Sequence, residues 1–423
     1  MTRRTTAQWL STSFRLGVIG LAILLAGAWG VTAAWHAIVA QTAPTATSGW
    51  SATPSPTLTP TTPPDAEFTI VAAGDVLPHI PVLTSARTSD GSYSFAALLS
   101  GLDPWVQGAD LALCHLEVPV APPGTALHGY PMFTGPAALV DALRAQGWDG
   151  CSTASNHAVD AGQAGIAATL AALDKAGLGH VGTARSATEA AQPQLYRLER
   201  AGQRITVAHL AATYATNGIP VDADKPWSVN LMDARTLVAQ AVAARAAGAD
   251  LVVASVHCCT EYQTQPTPAQ VAFDQALADS GAIDVVFGHH AHVPQPVAKL
   301  AGGPRGAGMW VFYGLGNYLS NQDSACCSPK TDSGLLATVH VRKPPGGPAS
   351  VTGVEWTGVT VDRLSGHRVH ALPDIAAGTR TLRPAEVAAR AARVAAAVGT
   401  QAPQRLTPLT PTGPPPTVLA RTG

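Results

Sequence analysis

Three segments of this 423-residue chain are built to one plan. "ALRAQGWDGCSTASNH" ends at Asn156–His157, "AARAAGADLVVASVH" at His257, and "ALADSGAIDVVFGHH" at His289–His290. In each, an alanine-rich helical stretch runs into a glycine, a short apolar strand follows, and the strand delivers a residue able to bind a metal. Glycine suits the left-handed position that closes a helix. Helix and strand alternating in this way predict α/β layering, with ligands gathered beyond the carboxyl ends of the strands. Two further apolar segments, "FTIVAAGD" and "MWVFYGLGN", deliver Asp75 and Asn317, and "ADLALCHLE" carries His115 and Glu117 out of another. One polar strand end is ordinary. Six of them, all Asp, Glu, Asn or His with hardly any Lys or Arg, predict a convergence of oxygen and imidazole ligands.

The ends of the chain read differently from its middle. Residues 17–40 hold one ionisable side chain, His36, and are long enough to span a bilayer. Arg3, Arg4 and Arg15 precede this stretch and no Lys or Arg follows until Arg87, so residues 1–16 are expected in the cytoplasm and the rest outside it. A signal peptide cleaved after Ala40 is the competing reading; the apolar region exceeds the usual signal length of roughly 7–15 residues, which favours an uncleaved anchor. The expected location is therefore the cell membrane, single-pass, with the domain extracytoplasmic. Residues 41–65 form a Pro/Thr/Ser-rich linker, with 17 such residues in 41–64, too polar to bury a core. The folded domain is expected over 66–372. A peripheral helix follows within 373–399, with Pro near its start and Gly after its end, and then a disordered Pro-rich tail over 400–423. Lys and Arg (26) nearly cancel Asp and Glu (27), and no basic patch is evident, which excludes nucleic acid as a partner.

Six cysteines in an exported chain predict disulfides. Cys258–Cys259 and Cys326–Cys327 are adjacent pairs in loops, and bridges from one pair to the other are expected. Cys114 and Cys151 lie in strand-like segments, either joined to each other or simply small buried side chains.

His290 and His292 are two apart, so in an extended segment both point to the same side, each towards one ion of a close pair. Asp75, Glu117, Asn156 and His257 add hard oxygens and neutral imidazole, a mixture suited to a divalent metal, one ion or two, of Mn, Fe or Zn. A two-metal site lowers the pKa of water and clamps both the attacking and the leaving oxygen of phosphoryl transfer. His157 is a candidate proton donor to a leaving alkoxide; the plainer alternative is a histidine that hydrogen-bonds its own loop.

The motifs "VAAGDVL", "ADLALCHLEVPV", "YPMFTGP", "STASNHAVDAGQAGI", "HCCTEY", "GHHAHVPQ" and "YGLGNYL" occur in an order that resembles the CapA family of capsule and poly-γ-glutamate biosynthesis proteins, within the calcineurin-like metallophosphoesterase superfamily. The likeness covers roughly residues 67–322. It implies a four-layer α/β/β/α sandwich, metallophosphoesterase-like, around a dinuclear metal centre. Asp75 matches the first aspartate ligand, Asn156 and His157 the Asn-His pair, His257 the lone strand-end histidine, and His290 with His292 the Gly-His-x-His pair. That leaves His289 as an extra, behind the ligands or exposed. The departures are specific. Leu77 stands where the superfamily has a histidine, and His115-Leu116-Glu117 replaces the CapA Asn-Leu-Glu, so one metal position is short of a ligand unless His79 or His115 compensates. Glu261 and Tyr262 belong to the CapA pattern, with Glu261 a ligand, a general base or a contact for a substrate amine. Cys258 and Cys259 replace its Trp-Gly, as thiol ligands or as a staple between two rim loops.

The resemblance implies a membrane-anchored protein of capsule or poly-γ-glutamate synthesis and export, acting as a metal-dependent hydrolase of a phosphoester or an anionic envelope polymer. The alternative is a non-catalytic polymer-binding scaffold. Its partners would be synthase or exporter subunits, and the membrane through the N-terminal helix. Nothing in the chain resembles an amide ligase or a nucleotide-binding loop, so polymerisation must come from elsewhere.

Overall fold

The computed structural model describes residues 63–422; the expected anchor and all but the last residues of the linker lie outside them. Among the described residues, no helix is long and apolar enough to cross a membrane. Strands β1 (Ala66–Val76), β2 (Leu111–Leu116), β3 (Gly150–Ser152) and β4 (Gly179–Val181) run parallel as successive neighbours. The helices Ala137–Gln146 and Gly162–Ala176 lie between them in sequence. The chain then changes sheet. β5 (Gln194–Arg200) and β6 (Gln203–Thr213) form a hairpin, and β7 (Leu251–Cys258) and β8 (Val285–His290) continue parallel to β6. β9 (Val297–Leu300) and β10 (Met309–Phe312) complete that edge. β11 (Asn317–Leu319) returns to lie parallel to β1, followed by antiparallel β12 (Ser333–Lys343), β13 (Ser350–Asp362) and β14 (Arg368–Ala371). A last strand, β15 (Thr417–Leu419), pairs with β5.

The strands are apolar on both faces because both faces are covered. Phe68, Ile70, Leu111 and Leu113 of the first sheet meet Tyr196, Val207, Val253 and Phe287 of the second in one shared layer. On the outer face of the first sheet, Val71, Ala112 and Cys114 pack with the helix residues Leu143, Ile166 and Leu170. On the outer face of the second, Val252, Ala254 and Val286 pack with Leu237, Ala241 and Leu277. The result is the α/β layering that the sequence pattern predicts, in the four-layer α/β/β/α form that the family resemblance implies. Gly147, Gly248 and Gly281, which close the helices of the three repeated segments, all take positive φ (113, 95 and 65°), a conformation that only glycine adopts without strain.

Two expectations are corrected. The tail does not run free over 400–423. Arg405 N–H donates to Trp356 O at 2.8 Å, Thr412 N–H donates to Asp110 Oδ1 at 2.6 Å, and β15 covers the outer strand of the second sheet. Its prolines discourage internal structure, but β5 offers an unpaired strand edge and Asp110 a buried acceptor, and the tail supplies the donors for both. The two adjacent cysteine pairs join otherwise than expected, and of the two readings open for Cys114 and Cys151 the structure has the bonded one. Cys258 joins Cys259, Cys326 joins Cys327, and Cys114 joins Cys151. Cys114 and Cys151 are register neighbours on β2 and β3, 4.3 Å apart at Cα. Cys258 ends the buried β7, whereas Cys326 sits in an exposed turn closed by Cys327 N–H on Asp323 O, so each pair meets only itself.

Asp110 ties these parts together: it also accepts from Thr69 N–H (2.8 Å) and pairs with the buried Arg200 at 2.8 Å. Asp110→Ala leaves that guanidinium buried without its counter-ion and should cost about 3–5 kcal/mol, read as a lower urea midpoint. A loss under about 0.5 kcal/mol, the size expected of an exposed pair, would show that the tail is not clamped there.

Candidate metal centre

The carboxyl ends of β1, β2, β7 and β8 lie side by side across the seam of the two sheets. Asp75 sits in register with His115 of β2 and Asn317 of β11, and His257 with His289 of β8. Two glycines let the strands close up. A Cβ on Gly74 would overlap the carbonyl oxygen of Gly316, and one on Gly288 that of Tyr313. Each immediately precedes a site residue, so glycine here sets the position of Asp75 and His289.

Around Asp75 the donors are dense. Asp75 Oδ1 lies 3.1 Å from His289 Nδ1, and its Oδ2 lies 3.1 Å from His292 Nδ1 and accepts from His290 N–H at 3.2 Å. The His115 ring stacks on His289 with centroids 4.0 Å apart, and its Nε2 is 2.9 Å from His257 Nδ1. The other nitrogen of His257 meets Asn156 Oδ1 at 2.8 Å. Glu117 Oε1 lies 3.9 Å from His257 and 3.6 Å from His292. All of these side chains are buried. At the rim, the carboxylate of Glu261, with 40% of its side chain exposed, stands 3.9 Å from His292 Nε2.

His157 stands beside this cluster, its Nδ1 2.6 Å from Asp160 Oδ2, which also accepts from Phe133 N–H. His79 stays outside: its Nδ1 is 3.0 Å from Leu77 O, its ring packs edge-on against Phe133, and burial pulls its pKa down to about 4. Asp75, Glu117, Asn156, His257, His290 and His292 are thus brought together, with Glu261 and His157 at the margin. His115 and His289 enter as full members of the cluster. The signal for His115 was its spacing of two from Glu117, which places both on one side of a strand. No such signal marks His289, which reaches Asp75 only because β8 lies across the seam from β1. The extended geometry expected at 290–292 is also corrected. His290 and His292 take φ of 79° and 54°, so the segment coils, and the two rings end 5.9 Å apart. Non-glycine residues in that region are strained and persist where surrounding contacts over-determine them.

The electrostatics follow from burial. The Glu117 carboxyl is pushed well up, and His115 and His257 are held well below the usual imidazole range. His290 falls to about 3 by the same cause. Burial lowers His292 as well, but the carboxylates of Glu117 and Asp75 override it and lift it to about 9. Asp75 is opposed by burial yet held well below the carboxylate range by the hydrogen bonds of His289 and His292. Neutral imidazole is the ligand form of histidine.

Several polar atoms here have no partner. Both oxygens of Glu117, Nε2 of His289 and Nδ1 of His290 are buried without a hydrogen bond. Each such atom costs about 1–3 kcal/mol when nothing compensates it. Three donor sets, Asp75–His115–His289, Asp75–Glu117–His292 and Glu261–His290–His292, each bring their ligand atoms within 4.8 Å of one another. Asp75 and His292 are each shared by two sets. Orphaned carboxylate and imidazole atoms in overlapping triads fit divalent cations, and these are the residues that would hold them. No thiolate contributes, since Cys258 is bonded to Cys259.

The profile of the family described as "Bacterial capsule synthesis protein PGA_cap" matches residues 69–322. The chain is 27% identical over 205 residues to the capsule biosynthesis protein CapA of Bacillus anthracis, covering 48% of this chain and 46% of that one. It is 28% identical over 256 residues to a probable polyglutamine synthesis accessory protein of Mycobacterium tuberculosis, covering 53% and 64%. The chain therefore spans roughly half to just under two thirds of these relatives' length. Among solved structures, the NAD nucleotidase of Haemophilus influenzae is similar with a TM-score of 0.46 at 13% identity, over 81% of this chain and 65% of that one.

Purified full-length protein loaded with Mn or Zn should carry about one to two metal equivalents by elemental analysis. His257→Ala and His290→Ala should each lower that content at least about twofold; unchanged content in both would refute the donor assignment.

Proposed function

This chain belongs to the family of bacterial capsule synthesis proteins, and from that premise we propose that it is a membrane-anchored, extracytoplasmic metal-dependent hydrolase serving an anionic envelope polymer, poly-γ-glutamate or a phosphoester-linked chain. The observation that carries the hydrolase is the pair of partnerless Glu117 oxygens facing His292 at the mouth of a histidine cluster.

Asp75, Glu117, Asn156, His257, His290 and His292, with His115 and His289 beside them, would hold one or two ions of Mn, Fe or Zn. Once bound, such a centre lowers the pKa of water and polarises a phosphoryl or acyl oxygen. The chain's own residues supply the rest. Asp160 fixes Nδ1 of His157, so the opposite nitrogen, Nε2, is the atom that exchanges a proton with a leaving oxygen. Asn217 and the edge of Phe133 brace the same residue: the Asn217 amide lies 3.4 Å from Nδ1, and the Phe133 ring lies 4.8 Å away, nearly perpendicular. Glu261 lies beside Tyr262 at the open side, placed to accept a proton or to meet an amine of the substrate. Support for the anchor is the apolar stretch 17–40 with its preceding arginines. Synthase or exporter subunits in the same membrane would be the partners.

A generic aryl phosphodiester should be turned over by the Mn- or Zn-loaded protein and spared after chelation. His157→Gln should lower kcat by about 10²–10⁴-fold with bound metal unchanged. Metal-loaded protein without chelator-sensitive turnover would defeat the hydrolase and leave the scaffold. For the placement, protease added to intact cells should digest the domain while the protein fractionates with membrane; a protected domain would contradict it.

A further inference from the structure

The outer edge where β4 of the first sheet meets β6 of the second holds a cavity of about 430 Å³ that the metal centre does not use. This volume suits a small molecule. Val181, Leu210, Val229 and Leu231 give it apolar walls. Its charged lining residues are Asp233 and Arg421.

Arg421 is the anomaly. It is only 8% exposed, and a guanidinium so buried ordinarily sits against a carboxylate. Here its hydrogen bonds go to the carbonyl oxygens of His180, Thr183 and Glu189 and to the ring of His180. Its Nε has no partner. The carboxylate of Glu189 is taken by Arg185, through both the side chain and the backbone N–H. Asp233 faces elsewhere: its Oδ1 caps the helix Ala234–Ala246 by accepting from the N–H and hydroxyl of Thr236, and its Oδ2 lies 3.9 Å from Arg235. The charge of Arg421 therefore meets no hydrogen-bonded anion among the described residues. Two further N–H donors on the lining, Trp227 Nε1 and Gln240 Nε2, make no hydrogen bond among them either, although Gln240 Oε1 accepts from Asn230 at 3.2 Å. A buried cation, spare donors and apolar walls select an organic anion over an inorganic one.

We propose that this cavity is a second, metal-independent site that binds a small organic carboxylate, with Arg421 supplying the charge and Trp227 and Gln240 the orienting donors. Recognition is non-covalent, and it stands apart from the hydrolase reading, since no residue is common to the two sites.

The test is calorimetric titration of the full chain with succinate, L-glutamate and inorganic phosphate, before and after chelation. Saturable binding of succinate or L-glutamate is expected, unchanged by chelator and by His257→Ala, with phosphate weaker. Arg421→Gln and Gln240→Glu should each weaken it at least about tenfold, the first by removing the cation and the second by adding a repelling carboxylate. If Arg421→Gln fails to fold, Gln240→Glu decides alone, since Gln240 lies half-buried on a helix surface. No saturable carboxylate binding up to about 10 mM, a ceiling near the weak end of small-ligand affinity, would make Arg421 a structural clamp for the tail only and overturn the proposal. Equal binding in the folded variants, loss of binding on chelation, or tighter binding of phosphate would overturn it as well.

Discussion

Two carboxylates, Asp75 and Glu117, lie buried in the seam between the sheets, and the local structure is arranged around their need for partners. Moving an isolated carboxylate from water into such a place is costly, and proteins tolerate it when the charge is paired or binds a metal. Asp75 satisfies the condition with His289, His292 and a backbone N–H. Glu117 does not: neither of its oxygens has a hydrogen-bond partner among the described residues. This asymmetry between the two acids gives the cluster its chemistry. One acid organises the histidines; the other keeps two oxygens that could meet a cation.

The rest of the architecture explains how so many polar groups gather without breaking the core. The carboxyl ends of parallel strands leave carbonyls and side chains pointing into a shared crevice. Glycines at 74 and 288 let backbones approach where any side chain would clash. The coil at His290–His292 stores strain at the same spot, as functional sites often do. Below this layer the inner core is mainly apolar, with the buried His209 and Ser255 hydrogen-bonded to each other at 2.9 Å.

The periphery follows the same logic of unmet hydrogen-bonding groups. The strand edge of β5 and the acceptors of Asp110 recruit a proline-rich tail that composition alone marks as solvated. At the far end of that tail, Arg421 enters a cavity wall carrying a charge that no carboxylate of the described residues hydrogen-bonds. Buried polar atoms without a partner also occur singly, at Tyr196 and Asp274 for example, so such an atom points to a ligand only where several donors converge, as they do around Asp75 and Glu117.

Sequence alone determined the layering, because helix–glycine–strand periodicity is local: it needs only the spacing of apolar residues and the left-handed turn at Gly147, Gly248 and Gly281. It also singled out Asp75, Glu117, Asn156, His257, His290 and His292, since each stands at or just beyond the end of an apolar run. Only the tertiary structure decided what those residues meet. His289 reaches Asp75 across 214 positions of chain, and His115 finds His257 across 142, through strands that pair in different sheets. The packing of the tail was invisible for the same reason. Pro and Thr report a segment's reluctance to form its own helix or strand, not the presence elsewhere of an edge and a buried carboxylate that need donors. Cysteine pairing likewise turns on tertiary placement: register sets Cys114 opposite Cys151, while Cys258 ends a buried strand and Cys326 sits in an exposed turn. Local pattern is written in neighbours along the chain, whereas a binding site is written in neighbours across it.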